Sequence, residues 1–403
     1  MKINRREVLQ QGTAALAGLT IGGQLWAAPV SGPRLLLVFL RGGYDAASLL
    51  VPSSSSFYRE ARPNIAISAA LPLDADWGLH PALAASVMPL VAKRQACFVA
   101  FAGTDDLTRS HFETQDSIEL GQPLQGRRDF GSGFLNRLAG VLQGSGRDAI
   151  AFTDQLPLSF RGDVSVANLS LKGAPQKPDE RLRASLLAMY RDSPLQARVA
   201  ESFDVRDEAA RQVAMPAASA PSAMAGEMEA ANRNAINAKG FELEARRIAR
   251  LMRERYALGF VDVGGWDTHV GQGAATGYLA SRLEELGRGL AGFADELGDA
   301  AWRNTVVVVI SEFGRTLREN GNRGTDHGHG SVHWVLGGAL AAGPVVGERQ
   351  IVSAATLNQN RDLPVLNEYR AWIGGLLARQ FALSPAQLAR VFPGAAPRDL
   401  GLV

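Results

Sequence analysis

Thr305-Val306-Val307-Val308-Val309-Ile310, running into Ser311-Glu312-Phe313-Gly314-Arg315, decides the fold class of this 403-residue chain. All six residues of the run are β-branched, which favours extended backbone. No polar residue alternates within it to face water, so the strand is expected to be buried on both faces, as in a parallel sheet covered by helices. Arg34 to Leu40 repeats the pattern and ends in Arg41-Gly42-Gly43-Tyr44-Asp45. Residues 96–101 and 257–263 read as further strands, and 332–336 as a short one. Helical stretches are predicted at 82–93, from Ser110 onward, and at 134–142, 178–203, 227–255, 278–297 and 368–381. Glu113 follows Ser110 at capping-box spacing. Alternating strands and helices predict an α/β three-layer sandwich with a largely parallel central sheet.

Composition narrows the class. Apolar residues make up 46% and charged residues 20% of the chain, with a formal charge of +2. Lys2, Arg5, Arg6 and Glu7 together supply that +2, so the remainder is balanced and offers no basic surface for nucleic acid. The paired arginines precede a moderately apolar run from Gly12 to Trp26, the pattern of a twin-arginine export signal ending near Ala28. The run is shorter than the roughly 20 residues a membrane span needs. The expected organisation is a signal at 1–28 and one domain at 29–403, with a lid or insertion around 121–255. Within that insertion, 209–225 is rich in Ala, Pro and Ser. The expected location is the periplasm or the exterior, with the twin-arginine translocase as partner during export. No transmembrane span is expected after signal removal. The single Cys97 excludes an internal disulfide.

The chemistry concentrates where strands end. Five of the six histidines sit in three polar motifs: Arg109-Ser110-His111-Phe112, Gly264-Gly265-Trp266-Asp267-Thr268-His269 and Asp326-His327-Gly328-His329-Gly330-Ser331-Val332-His333. In open α/β sheets, functional loops gather at the carboxyl ends of the strands. Asp45, Ser110, His111, Asp267, His269 and Glu312 are therefore expected at one edge, with the 326–333 loop reaching it. Imidazole and carboxylate donors without thiolates suit a divalent metal such as zinc, manganese, calcium or magnesium, as one ion or two. Ser110 is a candidate nucleophile at a helix start. Arg109 and Arg315 are candidates to hold an anionic group. His80 before Pro81 and His333 inside an apolar segment read as structural.

Together the signal, Leu40-Arg41-Gly42-Gly43-Tyr44-Asp45, Arg109-Ser110-His111-Phe112, Gly264 to His269, Ser311-Glu312-Phe313-Gly314-Arg315 and Asp326-His327-Gly328-His329-Gly330 resemble domain-of-unknown-function family 1501. That family is grouped with the alkaline phosphatase and sulfatase superfamily. The resemblance implies a metal-dependent hydrolase of an anionic phosphate or sulfate ester. It also implies metal ligation by Asp267, His269, Glu312 and His329, with His327, Asp45 and His111 as further ligands. Two departures stand out. Glu312-Phe313 replaces an Asp-His pair, and Arg41-Gly42-Gly43 precedes Asp45 where a ligand Asp ends the first strand. They leave open a one-metal site, or a non-catalytic binding or assembly protein of the cell envelope on a degenerate hydrolase scaffold. An amidohydrolase barrel fits less well, because its His-x-His pair belongs on an early strand.

Overall fold

A computed structural model describes residues 32–125, 128–144, 148–172 and 231–403, with 189, 190 and 196 between them. The expected signal, the stretch 209–225 and all but those three positions of the helix expected at 178–203 lie outside the described residues.

Six principal strands form the frame: β1 (Arg34–Leu40), β2 (Ala96–Gly103), β3 (Asp148–Phe152), β4 (Tyr256–Gly264), β5 (Thr305–Ser311) and β6 (Ser331–Gly337). Four two-residue strands complete a ten-stranded sheet. Its order is Val345–Val346, β2, β6, β5, β1, β4, β3, Ala167–Asn168; Asn367–Glu368 pairs with β2 and Ile236–Asn237 with β4. β1 lies parallel to both β5 and β4, and β4 is parallel to β3. Only β6 is reversed among the principal strands, antiparallel to β5 and β2.

The period-2 alternation of a strand sends each run to two cores. Leu36, Val38 and Leu40 join one, while Leu35, Leu37 and Phe39 join the other. The first is covered by α3 (Phe241–Glu254) and α4 (Tyr278–Leu297), which bring Phe241, Ala245, Leu283 and Leu286. The second is covered by α2 (Phe134–Val141) and α5 (Tyr369–Phe381), which bring Phe134, Leu135, Trp372 and Ile373. The sandwich therefore has three layers, with the sheet in the middle.

Three local expectations are corrected. The helix expected at 82–93 is a turn of 3₁₀ helix at Pro81–Leu83 and a short helix at Met88–Ala92. Pro89 is the reason, since it has no N–H for a longer ladder and is tolerated only in a first turn. Of the helix expected at 227–255, residues 227–230 lie outside the described residues; the strand Ile236–Asn237 interrupts the rest, and a helix then runs Phe241–Glu254. α1 (His111–Leu120) does begin after Ser110, but the Ser110 side chain makes no cap hydrogen bond.

Among the described residues, no helix is long and apolar enough to cross a membrane.

Candidate metal centre

Strand register assembles the site. β1, β4 and β5 finish level, because Leu40 pairs with Val263 on one side and with Ser311 on the other. Arg41, Gly265 and Glu312 therefore leave the sheet side by side. β6 runs the other way, so its first residue, Ser331, lies opposite Ala102 near the end of β2. The loop entering β6 carries His327 over the same edge, and α1, which follows β2, brings His111.

Three imidazoles converge there on one carboxylate. His111 Nε2 lies 3.0 Å from His327 Nε2 and 3.6 Å from Asp267 Oδ2. His269 Nε2 lies 3.0 Å from His327 Nε2 and 3.0 Å from Asp267 Oδ1. His327 Nε2 is 3.4 Å from Asp267 Oδ1. Each ring commits its other nitrogen to an oxygen: His111 Nδ1 to Glu312 Oε1 at 2.7 Å, His269 Nδ1 to Asp326 Oδ1 at 3.2 Å, and His327 Nδ1 to the Arg109 carbonyl at 3.1 Å. An acceptor at every Nδ1 fixes the ring proton there, so each Nε2 is left to bind a cation, whether proton or metal. Carboxylates and carbonyls behind metal-binding imidazoles play this role in metalloproteins.

Distances and charge both fit a divalent ion. Ligands about 2.0–2.1 Å from a tetrahedral centre sit roughly 3.3–3.4 Å apart; one donor atom each from His111, His327 and Asp267 lies within 4.8 Å of the others, while His269 stands outside that set, 3.0 Å from both His327 and Asp267. Asp267, Glu312 and Asp326 bring three carboxylates to the cluster, Arg315 pairs with Asp267, and Arg361 reaches the His327 carbonyl. Burial alone pushes the His111 imidazole down, yet hydrogen bonds to Asp267 and Glu312 outweigh it and hold it at about 9. At neutral pH His111 thus already carries a positive charge into the cluster. Burial pushes Asp267 up, but the three histidines and Arg315 hold it far below the usual carboxylate range.

A family described as protein of unknown function (DUF1501) matches residues 33–392. The chain belongs to the DUF1501 family. No curated protein matches it. Solved structures similar to the DUF1501 chain include a protein of the alkaline phosphatase superfamily from Vibrio parahaemolyticus. Identity to it is 11% and the TM-score 0.37, over 94% of this chain and 76% of that one. PsFucS1 sulfatase from a Pseudoalteromonas species is 10% identical, over 91% and 75% of the two chains, with a TM-score of 0.36. The C-terminal periplasmic domain of EcEptC from Escherichia coli, solved in complex with Zn, is 10% identical, over 76% and 73%, with a TM-score of 0.33.

The DUF1501 chain brings together only some of the residues expected at the site. His111, Asp267, His269 and His327 form the cluster. Glu312 stands behind it: Oε1 accepts from Gly42 N (2.8 Å), Gln115 Nε2 (2.9 Å) and His111, and Oε2 accepts from Ser311. Its carboxylate orients His111 instead of joining the donors His111, His327 and Asp267. Asp45 is sunk into a buried pair with Arg62, at 2.5 and 2.9 Å, and also holds Ser48 and Gln272. Drawing it out as a ligand would leave Arg62 buried without its partner, a loss of about 3–5 kcal/mol. His329 turns toward the Asp106 backbone and Asp362, and burial pushes its imidazole down.

Both arginines are engaged with protein. Arg315 is buried and gives its nitrogens to Asp267 and to the carbonyl and hydroxyl of Thr325, so it neutralises Asp267. Arg109 pairs with Asp362. His111 is not turned to Ser110 as a base, because both of its ring nitrogens face Glu312 and the cluster. Phe313 packs between His111 and His327, with ring centroids 4.9 and 5.0 Å away.

The glycines of the first loop explain its departure from a ligand-bearing strand end. A side chain at Gly42 (φ 122°) would meet the Asp267 backbone at 2.7 Å, and one at Gly43 (φ 61°) would meet the Phe313 ring. Arg41 turns back under the sheet to Asp262, Gln115 and Glu119.

Sequence reasoning missed Gln115, Asp326, Asp362 and Arg62. Asp326 was visible beside His327, and Gln115 sits one helical turn after His111. Nothing local marked Asp362 or Arg62.

Proposed function

We propose that the chain is an exported metal-dependent hydrolase of a phosphate or sulfate ester. It works at a single divalent ion held by His111, His327 and Asp267, with His269 beside them. The convergence of three Nε2 atoms on one carboxylate, each with its Nδ1 committed, carries this reading. Two imidazoles and one carboxylate, with a third imidazole beside them, suit zinc better than calcium or magnesium, whose shells are built from oxygen. One ion is favoured over two. Asp45, Glu312 and His329, the further donors, are engaged elsewhere, and the Phe313 ring occupies the flank of His111 and His327.

Bound there, the ion supplies Lewis-acid charge to an ester oxygen. The chain's own residues do the rest. Glu312, Asp326 and the Arg109 carbonyl hold the three rings in orientation, and Arg315 keeps Asp267 ionised. Arg361 is exposed and donates one nitrogen to the His327 carbonyl (3.0 Å), which places positive charge at the mouth to attract an anionic ester. Arg5-Arg6 and the run after them support passage through the twin-arginine translocase with the ion already loaded.

The same centre also serves the second reading, a non-catalytic envelope protein, and the commitment of both His111 nitrogens away from Ser110 favours it. Metal analysis of the purified chain separates the two, with aryl phosphate and aryl sulfate turnover measured before and after a chelator. Hydrolase function predicts bound transition metal and chelator-sensitive turnover, with both lost in Asp267→Asn. Bound metal without turnover of either ester selects the binding protein. A native chain that holds no transition metal would sink both.

A further inference from the structure

Arg109 reaches the centre through its backbone. Its carbonyl is the acceptor that fixes the His327 ring proton on Nδ1, at 3.1 Å. It does so from the left-handed region, with φ of 54°, a conformation that residues with a side chain rarely adopt without support. The support is visible. Nε donates to Asp362 Oδ2 at 2.9 Å, and Nη2 donates to Asp362 Oδ1 at 3.4 Å and Gln359 Oε1 at 3.2 Å. Asp362 has no exposed surface, and its backbone is tied to Asn358 and Thr316. From the same turn, Arg361 Nη2 donates to the His327 carbonyl at 3.0 Å. Residues 358–362 therefore hold His327 twice, by its ring through Arg109 and by its backbone through Arg361.

We propose that the Asp362–Arg109 pair is a positioning clamp for the His327 imidazole of the metal centre. Asp362 acts on Arg109, Arg109 acts on His327, and neither touches the ion. This rests on the metal-centre reading and deepens it. Arg109 takes a different role from the anion-holding one its charge suggested, since its side chain faces the turn and its carbonyl faces the site.

The test is Zn(II) affinity of the full chain by chelator competition, with the Co(II) visible spectrum as a second readout of ligand geometry. Asp362→Asn keeps shape and removes the charge. Arg109→Ala removes the tether, and Arg109→Lys keeps one charged donor toward Asp362. The expected losses are about 10–100-fold for Asp362→Asn and Arg109→Ala, with a changed Co(II) spectrum and partial rescue in Arg109→Lys. In a His327→Ala background, Asp362→Asn should cost nothing more, whereas a merely structural role would weaken the site further. If Asp362→Asn and Arg109→Lys bind like the native chain while His111→Ala does not, the clamp is wrong and the metal centre stands. If His111→Ala and Asp267→Ala also bind like the native chain, the metal-centre reading falls and the clamp falls with it.

Discussion

At the scale of single residues, what separates the six histidines is the partner of each ring's second nitrogen. His111, His269 and His327 each have an oxygen behind Nδ1 and a shared space before Nε2. His80 spends both nitrogens on backbone, at Ala82 and Ala274. Among the described residues, neither nitrogen of His333 has a hydrogen-bond partner, and its side chain has no exposed surface. These differences give two predictions. Glu312→Gln should weaken Zn(II) binding about 10–100-fold, because the carboxylate only orients His111; a loss as complete as that in Asp267→Asn would instead make Glu312 a ligand. His333 carries a pH prediction. Burial pushes its imidazole down to about 3, so between its unfolded value near 6.5 and that point the unfolded chain takes up a proton that the folded chain refuses. Stability should therefore fall as pH drops through this window, by up to about 1.4 kcal/mol per pH unit. His333→Leu should flatten melting temperature against pH over the same range, and an unchanged slope would clear His333 of the effect. The polar motifs contain the three histidines of the cluster together with His329 and His333. The resemblance placed His329 ahead of His327, whereas His327 faces the cluster and His329 does not, because in an irregular loop no periodicity says which of two rings turns to the site.

At the scale of elements, α1 and β6 do most to build the centre. Residues four apart share a helix face, so α1 presents His111 and Gln115 together to Glu312. The Gln115 amide is fully used: it donates to Glu312 and to the Ala231 carbonyl and accepts from Arg41. Gln115→Leu should cost about 1–3 kcal/mol in denaturant unfolding, since it strips a partner from two buried charged groups and a carbonyl. It should also loosen Zn(II) binding through Glu312, and native stability in this variant would show that the three groups find other partners. The start of α1 was legible in Arg109-Ser110-His111, but its capping box did not form, and Glu113 faces solvent. β6 was legible as a strand, but its direction was not. A parallel return needs a crossover over the sheet, usually a helix. The described chain between Ser311 and Ser331 contains no helix and stays at the carboxyl edge, so the next strand enters from that edge and runs back. That reversal places His327 at the centre.

At the scale of the whole molecule, the sandwich was readable because long apolar strands report burial on both faces locally. The buried charges were not readable, because their partners are far apart in sequence: Arg62 with Asp45, Arg41 with Glu119 and Asp262, and Arg109 with Asp362. Net charge near zero hides such pairs completely. The proposed ligands have the same long-range character. They come from the start of α1, the loop after β4 and the loop before β6, segments that only the folded sheet brings together. An ion held by all three binds the native chain far better than the unfolded one, so its binding energy becomes folding stability. At an ion concentration one hundred times the dissociation constant the gain is about 2.7 kcal/mol. Chelator treatment should therefore lower the melting temperature of the native chain, and added zinc should restore it in a saturable way. Calcium or magnesium should not, because imidazole nitrogens are poor donors for hard cations. Asp267→Asn should melt at one temperature under all of these conditions. A native chain that melts identically with chelator and with zinc would mean that the three rings converge for a proton alone, which His111 already holds at neutral pH.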